Sequence, residues 1–461
     1  MSNYYAPWIC SLRRKDLAVA DRNGASMISP CYSIAHRFLF VIFFILLGVG
    51  CPRLHAKERV IDDSFKVSFN LQTSKINGIA TIPIKEGEGT NLEERRLNLL
   101  YVTQTDENSR GVKEELPKPP MAVEISTLKT LAEVMERVAG KKIIYVGENH
   151  DQFSHHVMEL EVIKDLHRRG KKIAIGMEMF QRPFQSALDD FIEGRIDERE
   201  LLKKAQYFKR WGLDYNLYRP ILKFARSERI PVVALNMSQE VVDKVFQGGL
   251  DSLSEEEKKL VPSRMDFSDD AYKERLKKAF QEHEHFGAGN FNFFCQAQIL
   301  WDETMSESVD EFLKAHPTDQ MVVLAGNGHL AYGSGIPKRT ARRNGYDHAI
   351  ILNDADLEKD IADYVLFPKT IPGLTSPKLM VLLKEEGGKV QITGFPSGSN
   401  SEKAGMKVGD MILSIDHTPV RDIDDVKIDL LFKKKGEKAK VRILRKGLFG
   451  SQEIDFEVVL Q

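Results

Sequence analysis

Four short apolar runs, each stopping abruptly at polar residues, constrain this chain more than any other feature. Ile143 to Gly147 runs into Glu148, Asn149, His150 and Asp151. Lys172 to Met177 runs into Glu178, Pro231 to Leu235 runs into Asn236, and Gln320 to Ala325 runs into Gly326, Asn327, Gly328 and His329. Uninterrupted, β-branched-rich runs separated by long helical patterns read as strands of a parallel sheet buried on both faces. Ligands of such sheets bind beyond the carboxyl ends of the strands. His150, Glu178, Asn236 and His329 all fall at that edge, so side chains distant in sequence can converge there. Gly147, Gly176, Gly326 and Gly328 let the backbone turn sharply beside them.

The intervening segments have helical spacing: Ser126 to Ala139, Phe153 to Arg169, a series over 184–228, and two long patterns between Ser268 and Ala315 broken near Gly287 to Asn290. Ser238 is a candidate N-cap, and Ser254 with Glu257 has capping-box spacing. The result is an α/β domain over 121–367, with a helical insertion between the third and fourth strands.

At the strand ends, His150 and His329 can ligate a metal or haem, move a proton, or serve as hydrogen-bonded turn residues. Glu178 follows a buried run, where a lone carboxylate is costly without a cation or donor. Glu148 is a further candidate ligand. Gln298, Asp302 and Met305 share one helical face, which either meets something polar or turns Asp302 to solvent. The pairs His155 with His156 and His283 with His285 do not share a helical face and read at least as readily as solvated surface. Tyr215, Tyr218 and Tyr332 are haem phenolate candidates by residue type alone. There is no Walker A loop, nucleophile elbow, HExxH helix or Rossmann glycine fingerprint.

The flanks differ from this body. Phe38 to Gly50 is an unbroken run of thirteen apolar residues behind Arg37 and the basic Arg13, Arg14 and Lys15. A membrane span needs ~20 residues, so the run fits the core of an export signal within a leader over 1–56. Cys51 sits where a lipoprotein cysteine would be, and Leu54-His55-Ala56 offers a competing cleavage site. The expectation is an exported, cell-envelope protein held to the membrane through its N terminus or released to the periplasm. Residues 57–120 read as a β-rich segment and linker. With 66 basic and 67 acidic residues the net charge is −1, which argues against nucleic acid as a partner. The four cysteines are scattered and give no disulfide or zinc framework.

Residues 374–461 alternate in a β pattern around a helix from Asp424 to Lys433. The stretch Ala404-Gly-Met-Lys-Val-Gly-Asp-Met-Ile-Leu-Ser-Ile415 resembles a bacterial PDZ domain. The resemblance implies a small β-rich domain that adds a peptide or protein C terminus beside a strand, with Thr375 to Lys378 and Leu379, Met380 and Val381 lining the groove.

Four motifs in order carry a second resemblance: Gly147-Glu-Asn-His150, Gly176-Met-Glu178-Met-Phe180, Ala297-Gln298 with Trp301 to Met305, and Ala325 to His329. Together they resemble the ChaN-like haem-binding uptake family of the Tiki/TraB/erythromycin-esterase superfamily. That resemblance implies a parallel α/β fold and haem binding in an iron-regulated envelope protein, with haem shared between protomers of a homodimer as one arrangement. Carried over by position, it makes His150, Glu178, Gln298 and His329 the cofactor-binding set, with His150, Glu178 and His329 as metal ligands. No unique haem ligand transfers. Two functional readings follow: a haem- or iron-handling binding protein, or a Tiki-type metal-dependent hydrolase in which Glu148 or Glu178 activates water. An envelope scaffold without either chemistry is a third.

Overall fold

The computed structural model describes residues 122–282, 289–447 and 450–461. The leader, the expected β-rich segment and linker over 57–120, Cys51, His283 and His285 lie outside the described residues. No helix among the described residues is long and apolar enough to cross a membrane.

The central sheet has six parallel strands: β1 (Ile143–Glu148), β2 (Ile173–Gln181), β3 (Val232–Asn236), β4 (Gln320–Gly326), β5 (His348–Asn353) and β6 (Tyr364–Leu366), in the spatial order β3-β2-β4-β1-β5-β6. β1 to β3 are buried along their whole length. That is why they read as continuous apolar runs rather than as alternating ones. β4 enters between β1 and β2 although it comes last of the three in sequence. This insertion brings the ends of β1, β4 and β2 side by side. β6 is a short edge strand that the run pattern does not announce.

The helices bear out the coarse pattern, with shifted ends. The first runs Leu131–Val138, later than the spacing places it, because Thr130 and Glu133 close a capping box there. Ser254 and Glu257 form the expected capping box. Ser238 occupies its N-cap position but makes no side-chain cap bond. The helices Asp270–Glu282 and Phe291–Ala315 flank the expected break.

The Phe291–Ala315 helix is buried on nearly all sides. Its Glu303, fully enclosed, accepts from Arg342 at 2.7 Å and Arg343 at 2.8 Å and lies 3.3 Å from Arg339 Nε. Three guanidiniums on one buried carboxylate compensate its desolvation. They clamp this helix to the helix Ile336–Asn344 that follows the β4 turn.

The C-terminal sheet is antiparallel and comprises β7 (Leu382–Glu386), β8 (Lys389–Gly394), β9 (Met411–Ile415), β10 (Thr418–Pro419), β11 (Lys438–Gly447) and β12 (Gly450–Val459). Its order is β12-β11-β9-β8-β7, with β10 on β9, so β7 is an edge strand. The strand begins three residues after Leu379. Leu379 is buried in the small core, and Met380 has φ +53°. The helix Ile423–Leu431 belongs to both domains. Val426 and Leu430 join the C-terminal core, while Ile428 and Leu431 join the core beneath the central sheet. Around it, Arg199 pairs with Asp429, Lys203 meets Asp425 at 2.5 Å, and Phe432 lies 5.0 and 5.1 Å from the Arg199 and Arg219 guanidiniums. Ser376, in the loop before Leu379, donates to Asp214 at 2.6 Å through its backbone N–H and 2.9 Å through its hydroxyl.

Candidate functional site

The sheet edge assembles three of the predicted ligands. His150 leaves the turn after β1, Glu178 sits on β2, and His329 lies in the short turn after β4. A register shift against β3 between Met177 and Gln181 lets β2 run on past Met177 and sets Glu178 in place. Its Oε2 accepts from the Gly326 backbone N–H at 2.8 Å, and its carbonyl accepts from the Asn236 amide at 3.0 Å. Asn236 therefore fixes the backbone of Glu178. Glu178 Oε1 stands 3.5 Å from His329 Nε2 and 4.0 Å from His150 Nε2.

Both imidazoles are held from behind. His150 Nδ1 is 2.6 Å from Glu148 Oε1, and His329 Nδ1 is 2.7 Å from Asp302 Oδ1. A carboxylate accepts only, so each Nδ1 carries the proton and each Nε2 turns a lone pair toward Glu178 in the neutral ring. Asp302 also accepts from the Tyr272 hydroxyl. Gln298 is buried beside His329, but its amide is 3.4 Å from an Nδ1 already committed to Asp302, so it is a neighbour rather than a principal partner. Trp211 meets the His150 ring edge-on at 4.8 Å.

Burial opposes charging His329, but Glu178 and Asp302 outweigh it and lift the imidazole to about 9. His150 is raised in the same way, against burial, by Glu178 and Glu148. Glu148 itself is held well below the usual carboxylate range: burial works against this, and His156 and His150 overcome it.

Two alternatives left open by the sequence resolve in favour of burial. Asp302 is fully buried and faces the site, not solvent. His155 and His156 are buried as well, because the first turn of the helix Phe153–Arg168 packs against the strand ends. His155 Nδ1 accepts from the Asn149 N–H at 2.9 Å and Nε2 reaches Asp354 at 2.9 Å; His156 lies between Glu148 and Glu159. Glu159, three residues beyond His156, was the available signal. Nothing in the sequence marks Trp211 or Tyr272.

The comparisons fall on this geometry. The family "Haem-binding uptake, Tiki superfamily, ChaN" matches residues 134–340, and the PDZ domain family matches residues 377–458. The chain carries a ChaN-like domain followed by a PDZ domain. The ChaN-like match spans all three candidate ligands and both carboxylates behind them. Among curated proteins, "Protein RETICULATA-RELATED 5, chloroplastic" of Arabidopsis thaliana is 27% identical over 242 residues, covering 49% of this chain and 32% of that protein. The chain thus spans about a third of that relative's length. Among solved structures, ChaN of Campylobacter jejuni with cofacially bound haem is 16% identical over 52% of this chain and 92% of its own, at a TM-score of 0.43. The PDZ domain of a carboxy-terminal protease from Vibrio cholerae, in complex with peptide, is 19% identical over 18% of this chain and 91% of its own, at a TM-score of 0.15.

The donor set at the edge of the ChaN-like domain suits a compact cation. Two imidazole nitrogens, 3.5 and 4.0 Å from one carboxylate oxygen, are donor types that a divalent metal takes. A porphyrin fits these residues poorly. Both Nε2 atoms aim at Glu178 rather than at an open face, Tyr215 and Tyr218 are fully buried, and the Tyr332 hydroxyl is donated to Glu358.

Proposed function

We propose that the chain is an exported, membrane-attached haem- and iron-handling protein whose PDZ domain takes a peptide or a protein C terminus. The match of residues 134–340 to a haem-binding family carries the haem part of this reading. Within it, His150, Glu178 and His329 hold a metal ion at the sheet edge, and haem is taken elsewhere on the ChaN-like domain. Glu148 and Asp302 orient the two imidazoles and raise their basicity, as carboxylates behind metal-bound histidines do. In the PDZ domain, β7 is the strand beside which a peptide would add, adjoining Leu379, Met380 and Val381. Export and attachment rest on the apolar run 38–50 and on Cys51.

Titration of the purified protein with haemin tests the reading. A saturable Soret shift supports haem handling, while stoichiometric metal lost in His150→Ala and His329→Ala supports the sheet-edge site. No Soret shift would sink the haem reading.

One observation favours a second reading, a Tiki-type metal-dependent hydrolase. Glu178 stands next to both imidazoles and has an oxygen facing them, the position of a group that binds metal or takes a proton from water. A bound divalent ion would supply an acidified water. Glu178 would then receive its proton, and the PDZ domain would present the substrate. Peptide cleavage abolished by His329→Ala and Glu178→Gln is the expected outcome. Absence of turnover with metal fully bound would leave the binding-protein reading.

A further inference from the structure

Behind the sheet-edge site lies a second cluster, inside the domain. His156 Nδ1 is 2.6 Å from Glu148 Oε2 and 2.9 Å from Glu159 Oε2, and all three residues are buried. The other face of the ring fixes its protonation. Nε2 lies 3.2 Å from the His150 carbonyl oxygen, which only accepts, so Nε2 carries a hydrogen. In the neutral ring, Nδ1 is then a bare lone pair pointing at two carboxylates.

Three lone pairs meeting in the interior require a cation between them. A proton on Nδ1 serves them incompletely. A single N–H cannot fully serve both carboxylates: it bonds Glu159 Oε2, and Glu148 Oε2 is left without a hydrogen-bond partner. Glu159 Oε1 is also buried without a partner. Glu148 Oε1, in contrast, is fully used: His150 Nδ1 and the Tyr218 hydroxyl, at 2.8 Å, both donate to it. One unsatisfied carboxylate oxygen, Glu148 Oε2, thus faces the imidazole nitrogen, a second lies on Glu159, and the ligand atoms of the three residues lie within 4.8 Å of one another. Buried oxygens left without donors are costly and call for an occupant.

We propose that Glu148, His156 and Glu159 form a second cation site, behind the sheet-edge site, for a divalent first-row metal. One imidazole with two carboxylates suits Mn²⁺, Fe²⁺ or Zn²⁺ and not a thiophilic ion. Donor–metal distances of ~2.0–2.2 Å need the three groups to open by a few tenths of an ångström. The unpartnered Glu159 Oε1 then offers an additional ligand. Glu148 binds on one oxygen and orients His150 with the other, so it joins the two sites. The inner site does not depend on the sheet-edge ion, because it shares none of the three atoms that face each other there.

The test is metal stoichiometry of the full chain titrated with Mn²⁺ alone. Two ions per chain are expected in the wild type, one in Glu159→Gln and one in His329→Ala. The second variant removes the outer ion and leaves the inner. A single ion, lost in His329→Ala and kept in Glu159→Gln, would overturn the inner site while leaving the outer intact. Loss of one ion only in Glu159→Gln would instead remove the sheet-edge reading. Because Glu159→Gln acts in the core, wild-type crystals soaked in Mn²⁺ give an independent check. An anomalous peak between His156 Nδ1 and the two carboxylates is required, and its absence at saturating Mn²⁺ refutes the proposal.

Discussion

Asp302 fixes His329 through Nδ1 at 2.7 Å, from a helix position 27 residues upstream. The pairing holds the ring so that Nε2 faces Glu178. Asp302→Asn keeps the volume but can present an N–H where an acceptor is needed, favouring the wrong tautomer. Metal affinity at the sheet edge should fall about 10–100-fold, the usual consequence of losing such a carboxylate. Competition titration with a chromogenic chelator measures this, and unchanged affinity would show that Asp302 does not position the ligand.

Gly326 is required for lack of space rather than for its backbone angles. A Cβ there would lie 2.9 Å from both Cε1 and Nε2 of His150. Gly326→Ala should push the imidazole away from Glu178 and abolish sheet-edge metal binding, while leaving the far-ultraviolet circular dichroism unchanged. Retention of the ion would mean that His150 is not a ligand.

The metal-free protein should lose stability on the alkaline side. His329 is raised to about 9 in the fold, against a burial effect in the opposite direction, from an ordinary value of 6.5. A group whose folded pKa is raised stabilises fully below its unfolded pKa, and the contribution is lost as pH climbs through the folded value. Urea midpoints measured in a chelator should therefore decline between pH ~6.5 and ~9. The decline should be shallower in His329→Gln; identical profiles would remove His329 as a source.

Arg199 spans the boundary between the domains, pairing with buried Asp429 and lying 5.0 Å from the Phe432 ring centre. Asp429 Oδ2 already has no hydrogen-bond partner. Arg199→Ala takes the guanidinium from the other oxygen as well, and should cost about 1–3 kcal/mol by chemical denaturation. Asp429→Asn should recover part of the loss in the double variant, because it removes the stranded charge. Additive effects would exclude direct coupling.

Much of the architecture was legible in the sequence because burial on both faces leaves a plain signature. β1 to β4 read as apolar runs, and their polar ends named His150, Glu178 and His329. The topology was not legible, since nothing local to Gln320–Gly326 says that this strand inserts between β1 and β2. Yet that insertion is what brings Glu178 next to His329. The ring-orienting residues were hidden for a related reason. Asp302 lies on a helix whose surroundings are decided by Glu303 and three arginines. His155 and His156 looked like surface because adjacent residues cannot share a helical face. Here both sides of that helix's first turn are covered, so neither needs to face water. The PDZ pattern was readable from its glycine turns, Gly405 at φ +102° and Gly409 at φ +95°. β7 starts at Leu382, three residues after Leu379, although Leu379 to Val381 are as apolar as a strand.

The helix Ile423–Leu431 packs its two faces into different cores and is tied to β7 by the bond from the Ile423 N–H to Glu385 at 2.7 Å. A module on a slack tether samples many headings, and whatever it grips can reach a site by many paths. Here the wall beside the edge strand is a beam common to both rooms. Any chain laid along β7 would inherit its bearing from the central sheet, and the span from its end to that sheet's rim would be set as by a ruler.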